Sequence, residues 1–377
     1  MHGEHGHESF QKRFATIIAR HIAFVKRFDG KISLDKIRAV LYNEIRIIPW
    51  RKQNMNTEKK PITKIIFDTD IGGDCDDAGA LAMLHRLCDL GECELLAVTA
   101  CYASPYVAGC IDAINRYYGH VVPVGILHGK PSAEPGVYAK GLCEEFENSY
   151  PPEEENRIPD TVSVIRRTLA DAEDHSVTLA ATGSMASLAA LVQSPADEIS
   201  PLDGKALITQ KVLRTVVMGG RFYGTWPMPV VIGSDFTVTW EWNIHADIPA
   251  AQMMCRMWPG ELIFSSYEIG LFCVTMKGYA QTAPKEDPVR RAYELHPCGR
   301  EYGRESWDHT ALLYAIRPDA GYWNLHPFGR VTVDDDGVTS WNAEDGAQQS
   351  YLLPREDYDV IRDIINGLVC SHCIPNA

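Results

Sequence analysis

The stretch Ile62-Thr-Lys-Ile-Ile-Phe-Asp-Thr-Asp-Ile-Gly-Gly-Asp-Cys-Asp-Asp77 decides the fold, because an apolar segment ends there in a loop crowded with acids. Residues 62–67 are typical of a buried strand, and residues 78–90 have a helical pattern. Between them lie two glycines and five aspartates: Asp68, Asp70, Asp74, Asp76 and Asp77. Carboxylates this crowded repel one another, so they must take up protons, accept hydrogen bonds or share a cation. Because every candidate ligand is an oxygen, the loop predicts a hard cation such as Ca²⁺ or Mg²⁺, with a solvated acidic loop as the alternative.

Strand-like and helix-like segments alternate along the rest of the chain. The predicted strands are residues 62–67, 94–100, 121–126, 176–181, 213–218 and 261–265. The predicted helices are residues 78–90, 105–118, 160–171, 184–193 and 248–257. This order predicts an α/β fold with a mainly parallel sheet flanked by helices on both faces. Such sheets bind ligands at the carboxyl ends of their strands, where the aspartate loop lies.

Three segments stand apart from this repeating pattern. Residues 1–60 carry 13 Lys/Arg against 6 Asp/Glu and predict a basic N-terminal extension that is disordered or non-native. The alternative is a basic amphipathic helix at residues 14–27 that contacts a membrane or a partner. Residues 61–377 then form the folded domain. The segment 134–159 is rich in Pro and Glu and predicts a long surface loop over the site. Residues 330–341 predict a hairpin whose turn holds three aspartates and Gly337.

Charge and composition limit the class of ligand. The formal net charge is −14, and without the basic extension the rest of the chain carries −21. Such an acidic body argues against a nucleic-acid polymer and fits a small-molecule ligand. The sequence contains no run of about 18 uncharged apolar residues, so it predicts no membrane span. The eleven cysteines are scattered, which predicts a reduced, cytoplasmic protein, and the pair Cys370 and Cys373 has no second pair nearby.

Two familiar aspartate motifs fit the loop poorly. A calcium-binding EF-hand that starts at Asp68 requires Glu at its twelfth position, and Gly79 stands there. A phosphoryl-transfer hydrolase of the haloacid dehalogenase type also begins with a strand and an Asp-x-Asp pair. That interpretation leaves Asp74, Asp76 and Asp77 without a role, and it stays a minor alternative.

A third interpretation accounts for the whole loop. Residues 68–81 resemble the signature of the inosine/uridine-preferring nucleoside hydrolase family. Further segments resemble the family in the same order over residues 60–370: 123–125, 129–131, 181–188, 216–220, 241–247 and 306–315. The resemblance implies a Rossmann-like nucleoside hydrolase fold in a catalytic domain at residues 61–377. It also implies a Ca²⁺-dependent N-ribosyl hydrolase that uses a Ca²⁺-bound water to release free base and ribose, in purine or pyrimidine salvage.

The resemblance implies a role for individual residues as well. Ca²⁺ would be bound by Asp70, Asp77, Asp308 and the backbone carbonyl of Ala186, and Asp70 would also act as general base. The ribose would be held by Asp76, Met218, Glu241, Asn243 and the positions Ser104 and Asp235, where the family usually has Asn. The pair Glu241 and Asn243 is predicted to alternate in an extended stretch and to point to one side. Glu268 would also face the pocket.

Several departures from the family pattern leave alternatives open. Trp307 stands where many members have a His that assists the leaving base, so Trp307 by stacking or His309 as an acid would take that role. The loop is longer by two residues, Asp74 and Cys75, so the sequence leaves open which of its aspartates are ligands. A non-catalytic ribosyl-binding protein and a hydrolase of a modified ribosyl compound remain alternatives. By family analogy we expect a homo-oligomer, either dimer or tetramer.

Overall fold

The computed structural model describes residues 62–133, 136–223, 226–227, 237–355 and 357–370. The strands are β1 (Thr63–Thr69), β2 (Cys93–Ala100), β3 (Val124–Ile126), β4 (Val177–Ala181), β5 (Val212–Met218), β6 (Trp226–Pro227), β7 (Thr237–Val238), β8 (Leu262–Ser265), β9 (Val274–Thr275), β10 (Arg304–Glu305), β11 (Asn324–Leu325), β12 (Arg330–Val333), β13 (Thr339–Asn342) and β14 (Gln349–Leu353). The helices are α1 (Asp76–Asp89), α2 (Val107–Tyr117), α3 (Ala139–Glu145), α4 (Thr161–Asp171), α5 (Ala186–Gln193), α6 (Gly204–Lys211), α7 (Trp242–Ala246), α8 (Ile248–Met257), α9 (Tyr267–Leu271), α10 (Tyr279–Thr282), α11 (Pro288–Leu295), α12 (Gly299–Tyr302), α13 (Trp307–Ile316) and α14 (Asp359–Val369).

One eight-stranded sheet organises the domain, in the order β11-β14-β8-β5-β4-β1-β2-β3. Its neighbouring strands are parallel except for the edge strand β11, which is antiparallel to β14. This confirms the predicted α/β fold with a mainly parallel sheet. Among the described helices, none combines the length and the apolar character that a membrane span needs.

Strand β1 lies in the middle of the sheet and explains where a ligand would bind. Its apolar residues Ile65, Ile66 and Phe67 are at most 1% exposed, as expected of a parallel strand covered on both faces. The chain leaves β1 for β2 and β3 on one side and then returns to place β4 on the other side. A reversal of strand order of this kind opens a crevice at the carboxyl ends of the two strands. The aspartate loop follows β1 into this crevice.

The predicted elements up to residue 265 are all present, and their ends differ by at most three residues. The predicted hairpin is also present, since β12 and β13 pair antiparallel and Gly337 has a φ of 80° in the turn between them. Strands β14 and β11 were not predicted, because short segments at a sheet edge carry little periodic signal. The basic extension 1–60 and Cys373 lie outside the described residues.

The prediction of a long surface loop at residues 134–159 was wrong. This segment contains helix α3 and a 3₁₀ helix at Pro152–Arg157. Tyr138 and Leu142 are fully buried, so the segment packs on the body of the domain. It also contacts the aspartate loop, because the backbone N–H groups of Val137 and Tyr138 donate to the Gly72 carbonyl at 2.8 and 3.0 Å.

Candidate active site

Three aspartates from distant parts of the sequence meet beyond the carboxyl end of β1. Asp76 and Asp77 begin helix α1, and Asp308 lies in the first turn of α13. One carboxylate oxygen of each lies within 4.8 Å of the others. The Asp308 backbone N–H also donates to Asp76 Oδ2 at 3.2 Å. We call these three residues the acid cluster.

The electrostatics of the acid cluster favour a bound cation. Each of its side chains is at most 4% exposed. Burial raises the pKa of all three carboxyls well above the ordinary value, and neighbouring carboxylates raise it further. Among the described residues, Asp308 Oδ2 has no hydrogen-bond partner. Buried like charges need a neutralising partner, and a set of oxygens alone suits a hard cation, so the acid cluster fits a divalent ion such as Ca²⁺.

Asp68 and Asp70 lie at the carboxyl end of β1. Asp68 is 1% exposed and accepts a hydrogen bond from Thr99 Oγ1 at 2.6 Å, and burial raises its pKa to about 7. The Asp68 side chain therefore links strand β1 to Thr99 of the neighbouring strand β2. Asp70 is half-buried and directly follows β1. Its charge helps to raise the pKa of Asp308, so Asp70 lies beside the acid cluster.

Gly183, in the turn after β4, lies directly against the backbone of Asp70. A Cβ atom added at Gly183 would lie 2.8 Å from Asp70 N, 2.9 Å from Asp70 Cβ and 2.7 Å from Cys101 Sγ. These separations are shorter than normal contacts. The close approach of the β1 and β4 turns therefore depends on glycine at this position.

We expect Gly183→Ala to displace Asp70 and to lower the free energy of unfolding by about 1–3 kcal/mol, because overpacking forces the backbone to shift. Chemical denaturation measures the effect. Gly367→Ala in helix α14 is the matched control, since a Cβ there meets no atom within 4 Å. Equal stability of the two variants would contradict the tight contact.

Asp74, predicted to be one of two extra loop residues, is bound by an arginine. Arg304 Nε donates to Asp74 Oδ1 at 2.7 Å and to Oδ2 at 2.9 Å, and Arg304 Nη2 also donates to Oδ2. Burial alone would raise the pKa of Asp74, but the charge and hydrogen bonds of Arg304 lower it. His296 Nε2 is 3.6 Å from Asp74 Oδ1. Of the three loop aspartates that the sequence left open, this contact commits Asp74 to Arg304, while Asp76 and Asp77 stay in the acid cluster.

Glu241, Asn243 and Met218 lie together next to the end of β5. Glu241 accepts hydrogen bonds from the backbone N–H groups of Asn243 at 2.9 Å, Gly220 at 3.1 Å and Ile244 at 3.2 Å. Asn243 Nδ2 donates to the carbonyls of Thr182 at 2.7 Å and Met218 at 3.2 Å. These contacts join the carboxyl ends of β4 and β5 around one polar group.

The predicted extended stretch at residues 241–243 was wrong. Glu241 has extended dihedral angles but caps helix α7, and Asn243 already belongs to that helix. The carboxylate of Glu241 satisfies N–H groups of the first helical turn, which an extended strand would not offer. Burial raises the pKa of Glu241 to about 7.

We expect Glu241→Gln to lower the free energy of unfolding by about 1–3 kcal/mol, because the amide NH₂ of Gln cannot accept from backbone N–H groups that Glu241 serves. Urea denaturation provides the measurement. The matched control is Glu173→Gln, whose side chain is 83% exposed and which we expect to leave stability unchanged. Unchanged stability of Glu241→Gln would mean that the carboxylate is not needed for this turn.

Glu268 and Arg221 hold the segment that follows β5. Glu268 is fully buried, and its Oε1 accepts from the backbone N–H groups of Phe222 at 3.2 Å and Tyr223 at 3.1 Å. The Arg221 guanidinium lies 4.4 Å from the ring centroid of Tyr267, and its charge interacts with Glu241 and Glu268. Glu268 therefore anchors the segment. Sequence reasoning missed Arg221, whose one signal is a charged residue directly after a Gly-Gly pair at a strand end.

Trp307 and His309 flank Asp308 but are both packed. Trp307 Nε1 donates to the Tyr267 carbonyl at 2.8 Å, and the two rings stack with centroids 5.5 Å apart. His309 is fully buried, and burial lowers its pKa to about 3, so the ring is neutral at neutral pH. A Cβ at Gly79 would lie 2.6 Å from His309 Nε2. The geometry therefore places His309 in the contact between α1 and α13 and gives no support to its role as an acid.

Ser104 and Ala186 follow strands β2 and β4 in the chain. Ser104 is half-buried shortly after β2, and its Oγ accepts from the Tyr106 backbone N–H at 3.1 Å. Ala186 begins helix α5 after the β4 turn and is 7% exposed. Asp235 lies outside the described residues.

Comparisons with known proteins show the family of the chain and the similarity of its fold. A family profile described as "Inosine-uridine preferring nucleoside hydrolase" matches residues 65–346. The fold is similar to that of a plant nucleoside hydrolase, the PpNRh1 enzyme, with a TM-score of 0.60 and 17% identity over 82% of this chain and 99% of the other. It is also similar to the inosine-uridine preferring nucleoside hydrolase of Bacillus anthracis, with a TM-score of 0.58 and 20% identity over 82% of this chain and 99% of the other.

A third similar structure is the type III effector XopQ, which was solved in complex with adenosine diphosphate ribose. Its TM-score is 0.56 and its identity 14%, over 84% of this chain and 94% of that chain. At these identities the structures support the shared fold alone. A search of curated proteins gave no match.

Proposed function

Because this chain belongs to the inosine-uridine preferring nucleoside hydrolase family, we propose that it cleaves the N-glycosidic bond of ribonucleosides with the help of a bound Ca²⁺. The products would be free base and ribose, as in purine or pyrimidine salvage. The observation that carries the proposal is the acid cluster, in which Asp308 meets Asp77 and also Asp76, which lies 232 residues earlier in the chain. A buried group of oxygens at the carboxyl end of the central strand is what such a site needs.

The cation would be held by the carboxylates of Asp70, Asp77 and Asp308 and by the Ala186 carbonyl. When bound, a divalent cation supplies a water of lowered pKa and so a nucleophile at neutral pH. Asp70 would act as general base and take a proton from the water that attacks the anomeric carbon. The sugar gains positive charge in the transition state, and the surrounding carboxylates stabilise that charge.

The chain's polar residues would orient the ribose in the crevice. Asp76 accepts a hydrogen bond from the 2′-hydroxyl, and Glu241 and Asn243 with the Met218 region hold the other hydroxyls. Ser104, Asp235 and Glu268 complete the proposed ribose pocket. Trp307, whose indole N–H donates to the Tyr267 carbonyl, would contact the leaving base in the same proposal. A cytoplasmic location and a homo-oligomer, dimer or tetramer, belong to the same proposal by family analogy, and light scattering measures the assembly.

Ribose release tests the proposal. We expect turnover of inosine, uridine or another member of a nucleoside panel, and we expect a chelator to abolish it and calcium to restore it. Absence of ribose release from every ribosyl substrate would contradict the proposal.

Two other functions are compatible with the same pocket. A non-catalytic ribosyl-binding protein would bind nucleosides tightly in calorimetry without cleaving them, and the packing of Trp307 and His309 motivates this alternative. A hydrolase of a modified ribosyl compound would leave nucleosides intact. The complex of XopQ with adenosine diphosphate ribose makes that compound the first to add to the panel.

A further inference from the structure

The segment 304–308 forms hydrogen bonds with the aspartate loop at two points. Its first residue, Arg304, binds Asp74 through both carboxylate oxygens, with distances of 2.7 and 2.9 Å from Nε. Its last residue, Asp308, donates its backbone N–H to Asp76 Oδ2 at 3.2 Å. Asp308 also supplies one carboxylate of the acid cluster. One short stretch therefore provides a cluster residue and holds the loop that provides the other two.

Other contacts of Arg304 hold its backbone and its guanidinium group in place. It belongs to strand β10, where it pairs with Thr275 of β9. Its Nη1 donates to Glu305 Oε2 at 2.9 Å, and its guanidinium lies 4.9 Å from the ring centroid of Trp307. The side chain is 11% exposed. A guanidinium held in this way presents its fork to Asp74 in one orientation.

The aspartate loop contains flexible positions that contacts with other residues hold in place. It contains the adjacent glycines Gly72 and Gly73, and Gly72 has a φ of 134°, a conformation that other residues rarely adopt. The Gly72 carbonyl is bound by Val137 and Tyr138, and the Asp74 carbonyl accepts from the Tyr138 hydroxyl at 2.8 Å. The loop side chain of Asp74 is bound by Arg304. Arg304 thus binds one of the two residues that are predicted to lengthen the loop.

We propose that Arg304 is a positioning residue that sets the cation affinity of the acid cluster by fixing the lengthened aspartate loop through Asp74. The inference rests on the proposed function, because it assumes that the cluster binds a divalent cation. Residues that orient metal ligands without touching the metal change metal affinity by about 10- to 100-fold when they are replaced. Arg304 acts by removing loop conformations in which Asp76 and Asp77 point away from Asp308.

Calcium titration by calorimetry tests the inference on the full chain. We expect Arg304→Gln to raise the Kd for calcium by about 10- to 100-fold, with Asp74→Asn giving a similar change. Turnover at saturating calcium should recover most of the loss, because Arg304 does not contact the substrate. Arg304→Lys keeps the charge but lacks the fork, so we expect an intermediate Kd.

A matched control lies at the end of helix α13, the helix that contains Asp308. Arg317, which caps the end of α13, binds Glu92 through a similar fork with two distances of 2.7 Å. Arg317→Gln removes a similar ion pair whose partner, Glu92, does not belong to the aspartate loop, and we expect its calcium Kd to stay within about threefold of wild type.

The outcomes are distinguishable. Equal calcium affinity in the Arg304 and Arg317 variants would overturn the inference and leave the proposed function intact. A wild-type chain that binds no calcium would overturn both. Should Arg304→Gln not fold, Arg304→Lys and Asp74→Asn decide the question by the same titration.

Discussion

Asp77→Ala is expected to lose bound calcium and ribose release together, with a fall in turnover on the order of a thousand-fold or more. Asp77 lies 3% exposed in the acid cluster and accepts a hydrogen bond from Thr69 Oγ1. Its removal leaves too few oxygens to enclose a divalent cation, and the attacking water then keeps its ordinary, high pKa. We expect the same result for Asp308→Ala, because Asp308 closes the cluster from the far end of the sequence.

The metal content of the two variants separates this explanation from simple unfolding. Burial and mutual repulsion raise the pKa of both carboxyls, so removing one of them relieves repulsion in the calcium-free protein. We therefore expect the calcium-free variants to be no less stable than the calcium-free wild type in thermal unfolding. Stoichiometric calcium retained by both variants after dialysis would refute their assignment as ligands.

Asp70→Asn is expected to separate calcium binding from catalysis. An amide oxygen can still coordinate calcium, but an amide cannot take a proton from water. The loss of a general base costs about 10²- to 10⁴-fold in turnover. We expect this loss at saturating calcium, together with a calcium affinity that is weakened but measurable.

Steady-state kinetics at several calcium concentrations measure the Asp70 effect. The calcium-saturated rate of Asp70→Asn should stay low, whereas the rate of Arg304→Gln should approach that of wild type. If high calcium restored full turnover to Asp70→Asn, Asp70 would act through the cation alone and another group would be the base.

The sequence predicted the sheet and the position of the site because both depend on strong local patterns. The apolar run before Asp68 has the character of a strand buried on both faces, and the structure places it in the centre of the sheet. A helical pattern predicted the helix over residues 78–90, whereas the segment around Asp308 was placed by its resemblance to the nucleoside hydrolase family. Because parallel strands present their carboxyl ends at one edge, the aspartate loop was expected at the binding edge of the sheet.

Other features depend on pairings that no local pattern encodes. The partner of Asp74 is Arg304, 230 residues away, and a sequence offers many arginines for one extra aspartate. Glu241 and Asn243 were assigned to an extended stretch because they alternate in the sequence. The assignment failed because the Glu241 carboxylate accepts from backbone N–H groups of the first turn of α7. His309 was a candidate acid by its position next to Asp308. Its burial against Gly79 depends on how α13 packs on α1, which only the tertiary structure defines.

The calcium content of the purified wild-type chain tests the central claim most directly. After dialysis against metal-free buffer, atomic emission should find about one calcium per chain. If dialysis removes the ion, the thermal unfolding midpoint should rise when calcium is added back. Such a result would mean that the folded protein binds a calcium ion, as the acid cluster requires. A chain that contains no calcium, and whose unfolding midpoint and ribose release ignore added calcium, would contradict the account.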